Sequence, residues 1–372
     1  MFEDAPSIWA AIVASLCLIG LFWYSRWNYL ALIELKALPA GTPIETPLDV
    51  TVIIPARNEA RNIARAVQCF TPLCRVIVMD DDSSDGTAEK AREAGAEVFA
   101  APPMRGQILG KPNACLAGFE QATTKWVLFV DADVECLPKL LPALLVRAAD
   151  GPLDMVSLFL GRRHSTFLSA FLVPYAYAAY FTCINSVKIH SLKTPEALAS
   201  GHCVLFSANA YAFTGGHRMA RNAVMDDMEL GRLAKRHRLK FEIMRAEKLG
   251  RAHMYGSFVE LWKGLRKGSV RLLSYNKSRS ALPVLATVLP LAYLPILAWL
   301  WSQREERYVH EAMYAFATVP LWMMLPWYRN LFTLATPFTM YVFPLIAANA
   351  GIRWLLGLKD TWKGRELDNN DS

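Results

Sequence analysis

The sequence predicts an α/β fold, a doubly wound parallel sheet held between apolar ends, and three observations predict it. Apolar runs of strand length alternate with helical patterns between residues 49 and 130. Two of these runs end in aspartates: Arg75-Val76-Ile77-Val78-Met79 leads into Asp80-Asp81-Asp82, and Trp126-Val127-Leu128-Phe129-Val130 leads into Asp131-Ala132-Asp133. Uncharged runs at 8–24, 282–301, 312–328 and 331–352 each approach the roughly 20 residues that cross a bilayer as helix.

The first apolar run follows Glu3 and Asp4, with no basic segment before it and no small-residue cleavage site after it, so residues 1–30 read as a retained anchor. Arg26 and Lys36 come next, which by the positive-inside rule places the following domain in the cytoplasm. Residues 49–54 read as a buried strand closed by Pro55, and 58–70 as the helix after it. The second strand is 75–79; Ser83 or Ser84 caps a helix over 87–94 that Gly95 ends. A short strand at 97–100 precedes a helix opened by Pro112 and continued over 114–122, and 125–130 is the fourth strand.

Residues 165–187 are uncharged and long enough to span. They carry Tyr175, Tyr177, Tyr180 and Asn185, and a span there would put Asp227 and Asp133 on opposite sides of the membrane, so the segment reads as buried or interfacial. The resulting organisation is an anchor (1–30), an α/β domain (45–257), a basic amphipathic helix (258–280), an apolar membrane region (281–357) and a polar tail (358–372). Three C-terminal spans would leave Lys359, Lys363 and Arg365 outside, so one of these runs reads as re-entrant or interfacial. The expectation is a multi-pass inner-membrane protein with its catalytic domain in the cytoplasm.

Composition agrees with that division. The chain has 372 residues, 53% hydrophobic and 20% charged, with a net charge of +7. The positive charge does not point to nucleic acid, because Lys263, Arg266, Lys267, Arg271, Lys277 and Arg279 crowd one stretch and alternate there with Leu261, Trp262 and Leu265. Such a helix suits an anionic leaflet. Seven cysteines, an odd number with no Cys-x-x-Cys pair, read as reduced packing residues.

The aspartate clusters carry the chemistry. Open α/β sheets bind ligands at the C-terminal ends of their strands. Carboxylates massed there repel one another unless a cation joins them, and a hard divalent ion bridging carboxylate and phosphate oxygens is the economical resident. That combination points to a nucleotide-diphosphate site.

Read in order, Pro55-Ala56-Arg57-Asn58-Glu59, Asp80-Asp81-Asp82-Ser83-Ser84-Asp85-Gly86-Thr87, Gly110-Lys111-Pro112-Asn113-Ala114, Asp131-Ala132-Asp133 and Asp226-Asp227-Met228-Glu229-Leu230 together resemble the inverting family 2 glycosyltransferases of GT-A fold. The resemblance covers about residues 48 to 280. The apolar ends and Trp362-Lys363-Gly364-Arg365 look like the lipid-directed branch with hopene-associated and carotenoid glycosyltransferases and, more distantly, ceramide glucosyltransferase.

The resemblance implies a nucleotide-sugar donor, most simply a UDP-sugar, a lipid hydroxyl acceptor and Mg²⁺ or Mn²⁺. Pro55, Arg57 and Glu59 would hold base and ribose, with Asp81 or Asp82 accepting from the base; Lys111 and Asn113, at a helix start, suit phosphate. Asp133 is the expected metal ligand, with Asp131 shared between ribose and metal. Inversion needs a base from a separate segment, and Asp227 fits; Asp226 stands where the family carries Glu, which leaves a one-residue register open. Trp262, Arg266, Lys267, His202 and His253 are further candidates for diphosphate or acceptor contacts. The Gln-x-x-Arg-Trp motif of processive members is absent, which argues against a polymerising synthase. Two other readings stay open: a polyprenyl-phosphate glycosyl synthase, and a non-catalytic membrane-anchored receiver or sensor. The latter leaves Asp131, Asp133 and Asp227 unexplained, and the sequence assigns no oligomeric state.

Overall fold

Alternate residues of the first long strand take opposite sides of the sheet, as a pleat of period two requires. Val50, Val52 and Ile54 enter one apolar core, and Ile53 the other, all at 0% exposure. Burying a side chain of this size is worth about 1.5–3 kcal/mol, so a slip of one residue would exchange the two faces at large cost. The computed structural model describes residues 5–103, 110–194, 196–220, 226–275, 287–302, 307–328, 331–358, 360–362 and 365–367.

α1 (Ala5–Leu30) and β1 (Ile33–Glu34) lead to β2 (Val50–Ala56), α2 (Ile63–Gln68), β3 (Arg75–Asp80), α3 (Thr87–Glu93), β4 (Glu97–Ala100), α4 (Gly110–Glu120), β5 (Trp126–Val130) and β6 (Val134–Cys136). Then follow α5 (Leu140–Asp150), β7 (Met155–His164), α6 (Phe167–Thr182), α7 (Ser186–Ile189), β8 (Cys203–Ser207), α8 (Ala208–Thr214), α9 (Gly216–Met219), α10 (Asp226–Arg236), β9 (Phe241–Met254) and α11 (Phe258–Tyr275). The main sheet runs β1-β9-β7-β8-β5-β2-β3-β4, with β6 paired to β9.

The two cores match helices on both faces. Ile63, Ala66, Leu140 and Leu144, from α2 and α5, fill one core; Ala114, Tyr175, Phe181 and Leu233, from α4, α6 and α10, fill the other. The sheet departs from the all-parallel expectation. β4, β3, β2 and β5 are parallel, but β8 lies antiparallel between β5 and β7, and β6 is antiparallel to β9. The reason is that no helix crosses over between β5 and the short β6, and β8 returns beside β5 after the helices that follow β7. The result is a mixed sheet.

Local chemistry corrects a second expectation. α3 begins at Thr87 with Gly86 as its N-cap residue, at φ 85°, rather than at Ser83 or Ser84. Those serines tie two loops together instead: Asn58 N–H donates to Ser83 Oγ at 2.9 Å, and Ser84 N–H donates to Asn58 Oδ1 at 3.0 Å. The left-handed conformation at Asn58, φ 52°, lets one short amide side chain serve this junction.

Multi-pass insertion is not supported. Among the described residues, one helix, Thr333–Arg353, is long and apolar enough to cross a membrane, and 39% of its apolar window is buried within the fold. The run 312–328 is divided between Arg307–Ala317 and Val319–Tyr328, each too short to cross. Part of 282–301, and much of the 358–372 tail, lie outside the described residues. α1 packs one face inward: Phe22, Ser25, Asn28 and Tyr29 are buried, and Asn28 Nδ2 donates to the Phe181 carbonyl at 3.2 Å. The segment 165–187 behaves as expected. It forms α6, capped by Thr166 and packed against α1, α11 and Thr336–Leu355. All seven cysteines are free thiols.

Candidate functional site

Strand ends, helix starts and one return loop converge beyond the C-terminal edge of β2 and β5. β5 delivers Asp131 into a tight turn in which Val134 N–H donates to the Asp131 carbonyl at 3.1 Å. Asp131 N–H is held by the His202 carbonyl at 3.1 Å and the Asp133 carbonyl by His253 N–H at 2.9 Å, so the loop entering β8 and the end of β9 clamp the turn from both sides. The first turn of α4 brings Lys111 to it. Its Nζ lies 2.6 Å from Asp131 Oδ1 and 3.9 Å from Asp226 Oδ2, and donates to the Gly201 carbonyl at 3.4 Å. The two carboxylates hold the Lys111 ammonium well above its usual range against the opposing effect of burial.

α10 supplies the opposite wall. Asp227 accepts from Gly201 N–H through Oδ2 and from Met228 N–H through Oδ1, both at 2.9 Å. Gly201 is open enough for this approach because a Cβ there would lie 3.1 Å from Lys111 Nζ and 3.3 Å from Asp227 Cβ. Burial, reinforced by the neighbouring Asp226 charge, raises the Asp227 carboxyl to about 6. Lys111 and the two amide donors act in the other direction and are outweighed. A carboxyl so placed is a base of useful strength near neutral pH.

Asp227 borders two spaces. On one side is a recess of about 10 Å³ in which Lys111, Asp131, His217 and Asp226 face the apolar Phe129, Val204 and Leu230. On the other is an apolar cavity of about 200 Å³, walled by Val173, Ala176, Tyr177, Leu265 and Phe343, with Ser200 and His202 at its polar end.

The remaining expected residues spread around this centre. Arg57 NH1 donates to the Asp81 carbonyl at 2.5 Å and lies 3.9 Å from Asp82, whose side chain is 92% exposed. Glu59 accepts from Asn62 Nδ2 at 3.0 Å while its N–H donates to Thr87 Oγ1. Asn113 is buried and donates to the Pro102 carbonyl at 2.7 Å. His202 Nδ1 pairs with Ser200 Oγ at 2.9 Å, and burial lowers its pKa. His253 sits between Arg65 NH1 and Glu135 Oε2, 2.6 Å from the latter. Trp262 Nε1 and Arg266 NH1 both reach Asn349 Oδ1 at 3.4 Å, and Lys267 follows on α11. The structure thus joins Lys111, Asp131, Asp226 and Asp227 in one cluster, with Asp133 on the same turn, while Trp262 and Arg266 engage the C-terminal helix.

Among the described residues, no three His, Cys, Asp or Glu side chains are grouped so as to hold a metal ion. One Asp131 oxygen is already engaged by Lys111. The available donors are carboxylate oxygens, which suit a hard divalent cation that takes its other ligands from phosphate and water.

Residues 51–214 match the family model described as Glycosyl transferase family 2. This segment is where the chain is similar to family 2 glycosyltransferases. The matched segment contains Asp81, Lys111, Asp131 and Asp133 and ends before Asp226 and Asp227. Two 4,4'-diaponeurosporenoate glycosyltransferases are similar to the chain. The one from Staphylococcus haemolyticus (strain JCSC1435) is 29% identical over 206 residues, 52% of this chain and 54% of the relative. That from Staphylococcus aureus (strain USA300) is 30% identical over 197 residues, 49% and 50% respectively. The chain spans about half the length of the curated relatives it matches. A mannosyltransferase from Pyrobaculum calidifontis, solved in complex with GDP-Man and Mn²⁺, shares the fold at TM-score 0.54 and 16% identity over 92% of this chain and 97% of its own.

Sequence reasoning missed several members of the site's surroundings. His217 Nε2 lies 3.8 Å from Asp226 Oδ2 and its Nδ1 pairs with Tyr211 OH at 2.7 Å; burial lowers the imidazole to about 4 and keeps it neutral. A lone histidine after Gly215-Gly216 carries no periodic signal. Arg65 and Glu135, which bracket His253, are equally silent in the sequence.

Proposed function

We propose that the chain transfers a hexose from a nucleotide sugar to the hydroxyl of an apolar lipid, with inversion, using Asp227 as general base. The observation that carries this reading is the position of Asp227, beside the charged cluster of Lys111, Asp131 and Asp226 on one side and lining the apolar cavity on the other. A donor and an apolar acceptor entering from opposite sides would meet at its carboxylate. The carotenoid glycosyltransferase relatives support an apolar acceptor.

The acceptor hydroxyl gives its proton to Asp227 as its oxygen bonds to the anomeric carbon from the face opposite the diphosphate. The bond from that carbon to the diphosphate oxygen breaks, and the nucleoside diphosphate leaves with the electron pair. Lys111, cationic between Asp131 and Asp226, is placed to offset charge on the departing phosphate. Loop 55–59 and Asp81 or Asp82 would hold base and ribose. Asp133, with Asp131, would hold a divalent ion, Mg²⁺ or Mn²⁺, which when bound supplies Lewis-acid stabilisation of the diphosphate. His202 and Ser200 would order the acceptor oxygen at the polar end of the cavity.

The protein would work at a membrane surface. Trp9, Trp23, Trp27, Trp301 and Trp322 are exposed, as suits an interfacial belt, and Thr333–Arg353 would anchor it. Lys263 and Lys267 on α11 would meet anionic headgroups at the cytoplasmic leaflet.

The test is to incubate the protein in membranes with a panel of labelled nucleotide sugars, with and without EDTA, and to identify the labelled lipid and its anomeric configuration. A lipid glycoside of inverted configuration that forms only without chelator is expected; retained configuration, or equal yield with EDTA, overturns the reading.

A further inference from the structure

Two glycines one helical turn apart on α11, Gly264 and Gly268, border the apolar cavity, and they differ in what they are for. A Cβ at Gly264 would fall 2.3 Å from the Tyr255 ring, so this glycine is required by packing. At Gly268 a Cβ would meet none of the described residues within 4 Å. Glycine in a helix interior costs about 1 kcal/mol relative to alanine. Among the described residues no close approach offsets that cost at Gly268, and functional sites are where local rules are broken without a packing gain.

Gly268 is exposed as well as cavity-lining, which puts it at the opening. Across the cavity stand Val173 and Ala176 of α6 and Phe343 of the C-terminal helix, and Asp227 lies at the polar end. Because Gly268 lines the cavity and a Cβ there meets open space, a larger side chain at 268 has room to reach across the mouth through which an apolar chain would pass toward Asp227. We infer that Gly268 is the gauge of the acceptor site: its missing side chain admits a methyl-branched, isoprenoid-like chain, and its replacement would narrow the opening to slimmer, straight chains. This rests on the cavity being the acceptor site.

The test uses the full-length protein in nanodiscs and two photoactivatable probes, a straight-chain C12 alcohol and a methyl-branched C15 isoprenoid alcohol, each carrying a diazirine. Crosslinks to α6 and α11 peptides are quantified by mass spectrometry. With the branched probe, labelling should fall in the order Gly268→Ala, Gly268→Leu, Gly268→Phe, reaching at least about tenfold for Phe, while the straight probe loses less. The leucine variant decides the matter where the phenylalanine variant melts early. Equal labelling of parent and both bulky variants overturns the gauge, as does equal loss of both probes. Labelling needs no sugar transfer, so a protein that binds the probes but transfers nothing refutes the catalytic reading and leaves the gauge standing.

Discussion

The Asp227 carboxylate accepts the Gly201 amide at 2.9 Å, and the Gly201 carbonyl in turn accepts from Lys111 at 3.4 Å. One glycine peptide thus links the proposed base on α10 to the cation on α4. A side chain at Gly201 would push against both partners, so the loop before β8 sets the spacing between base and cation.

Removal of the cation should be felt at the base. Lys111 is among the influences that lower the Asp227 carboxyl, and Asp131 and Asp226 lose their counter-charge with it. Lys111→Met should reduce turnover at least tenfold and move the acid limb of the pH–rate profile upward by a measurable fraction of a unit. A pH–rate series on both proteins checks it; an unmoved limb would place Lys111 outside the field of the base.

The raised Asp227 carboxyl also has a consequence for stability. Its ordinary value is 3.8 and its folded value about 6, so the folded state binds the proton more tightly. Stability from this group is complete below pH 3.8, declines as pH rises toward 6, and is lost above it. Asp227→Asn removes the titration. The variant's stability relative to wild type, and with it the difference in melting temperature, should therefore rise between pH 4 and pH 7, the stability by on the order of 1–3 kcal/mol. Melting curves at pH 4, 5.5 and 7 measure this, and a difference independent of pH would contradict it.

A packing prediction concerns the helix that carries the base. At Gly231 a Cβ would lie 2.8 Å from the Leu198 carbonyl oxygen, which is backbone and cannot swing aside. Gly231→Ala should therefore lift α10 from the 197–200 loop. Alanine would raise stability in an exposed helix; here it should cost about 1–3 kcal/mol and lower turnover because Asp227 moves with α10. Chemical denaturation and a rate measurement on one preparation decide it.

Much of this arrangement was legible in the sequence, for identifiable physical reasons. β2, β3 and β5 are short apolar runs with polar ends, so their C-terminal edges and the carboxylates at Asp80, Asp131 and Asp133 could be read directly. Lys111 followed from its place at the start of a helix. The direction of β8 was not legible, because an apolar strand reads alike in parallel and antiparallel pairing. The capping serines were misread because their hydroxyls bond across to the loop at Asn58, a partner 25 or more residues distant. The apolar cavity was hidden for a related reason: α6 and α11 each contribute a few residues, β7 only Phe159 and Thr336–Leu355 only Phe343, and no single segment carries the pattern. The apolar ends were read as spans by length, whereas part of their apolar surface packs against α6 and α11.

The most direct test of the central claim compares Asp227→Asn with Asp226→Asn in steady-state transfer, with donor affinity measured separately by calorimetry. Asparagine keeps the shape of the side chain and removes its basicity, and positioned general bases contribute about 10² to 10⁴-fold. The account predicts that Asp227→Asn lowers kcat by a factor in that range with donor affinity changed by less than about threefold, and that Asp226→Asn does less. Transfer by Asp227→Asn at a near wild-type rate would contradict it, and a dead Asp226→Asn beside an active Asp227→Asn would move the base by one residue.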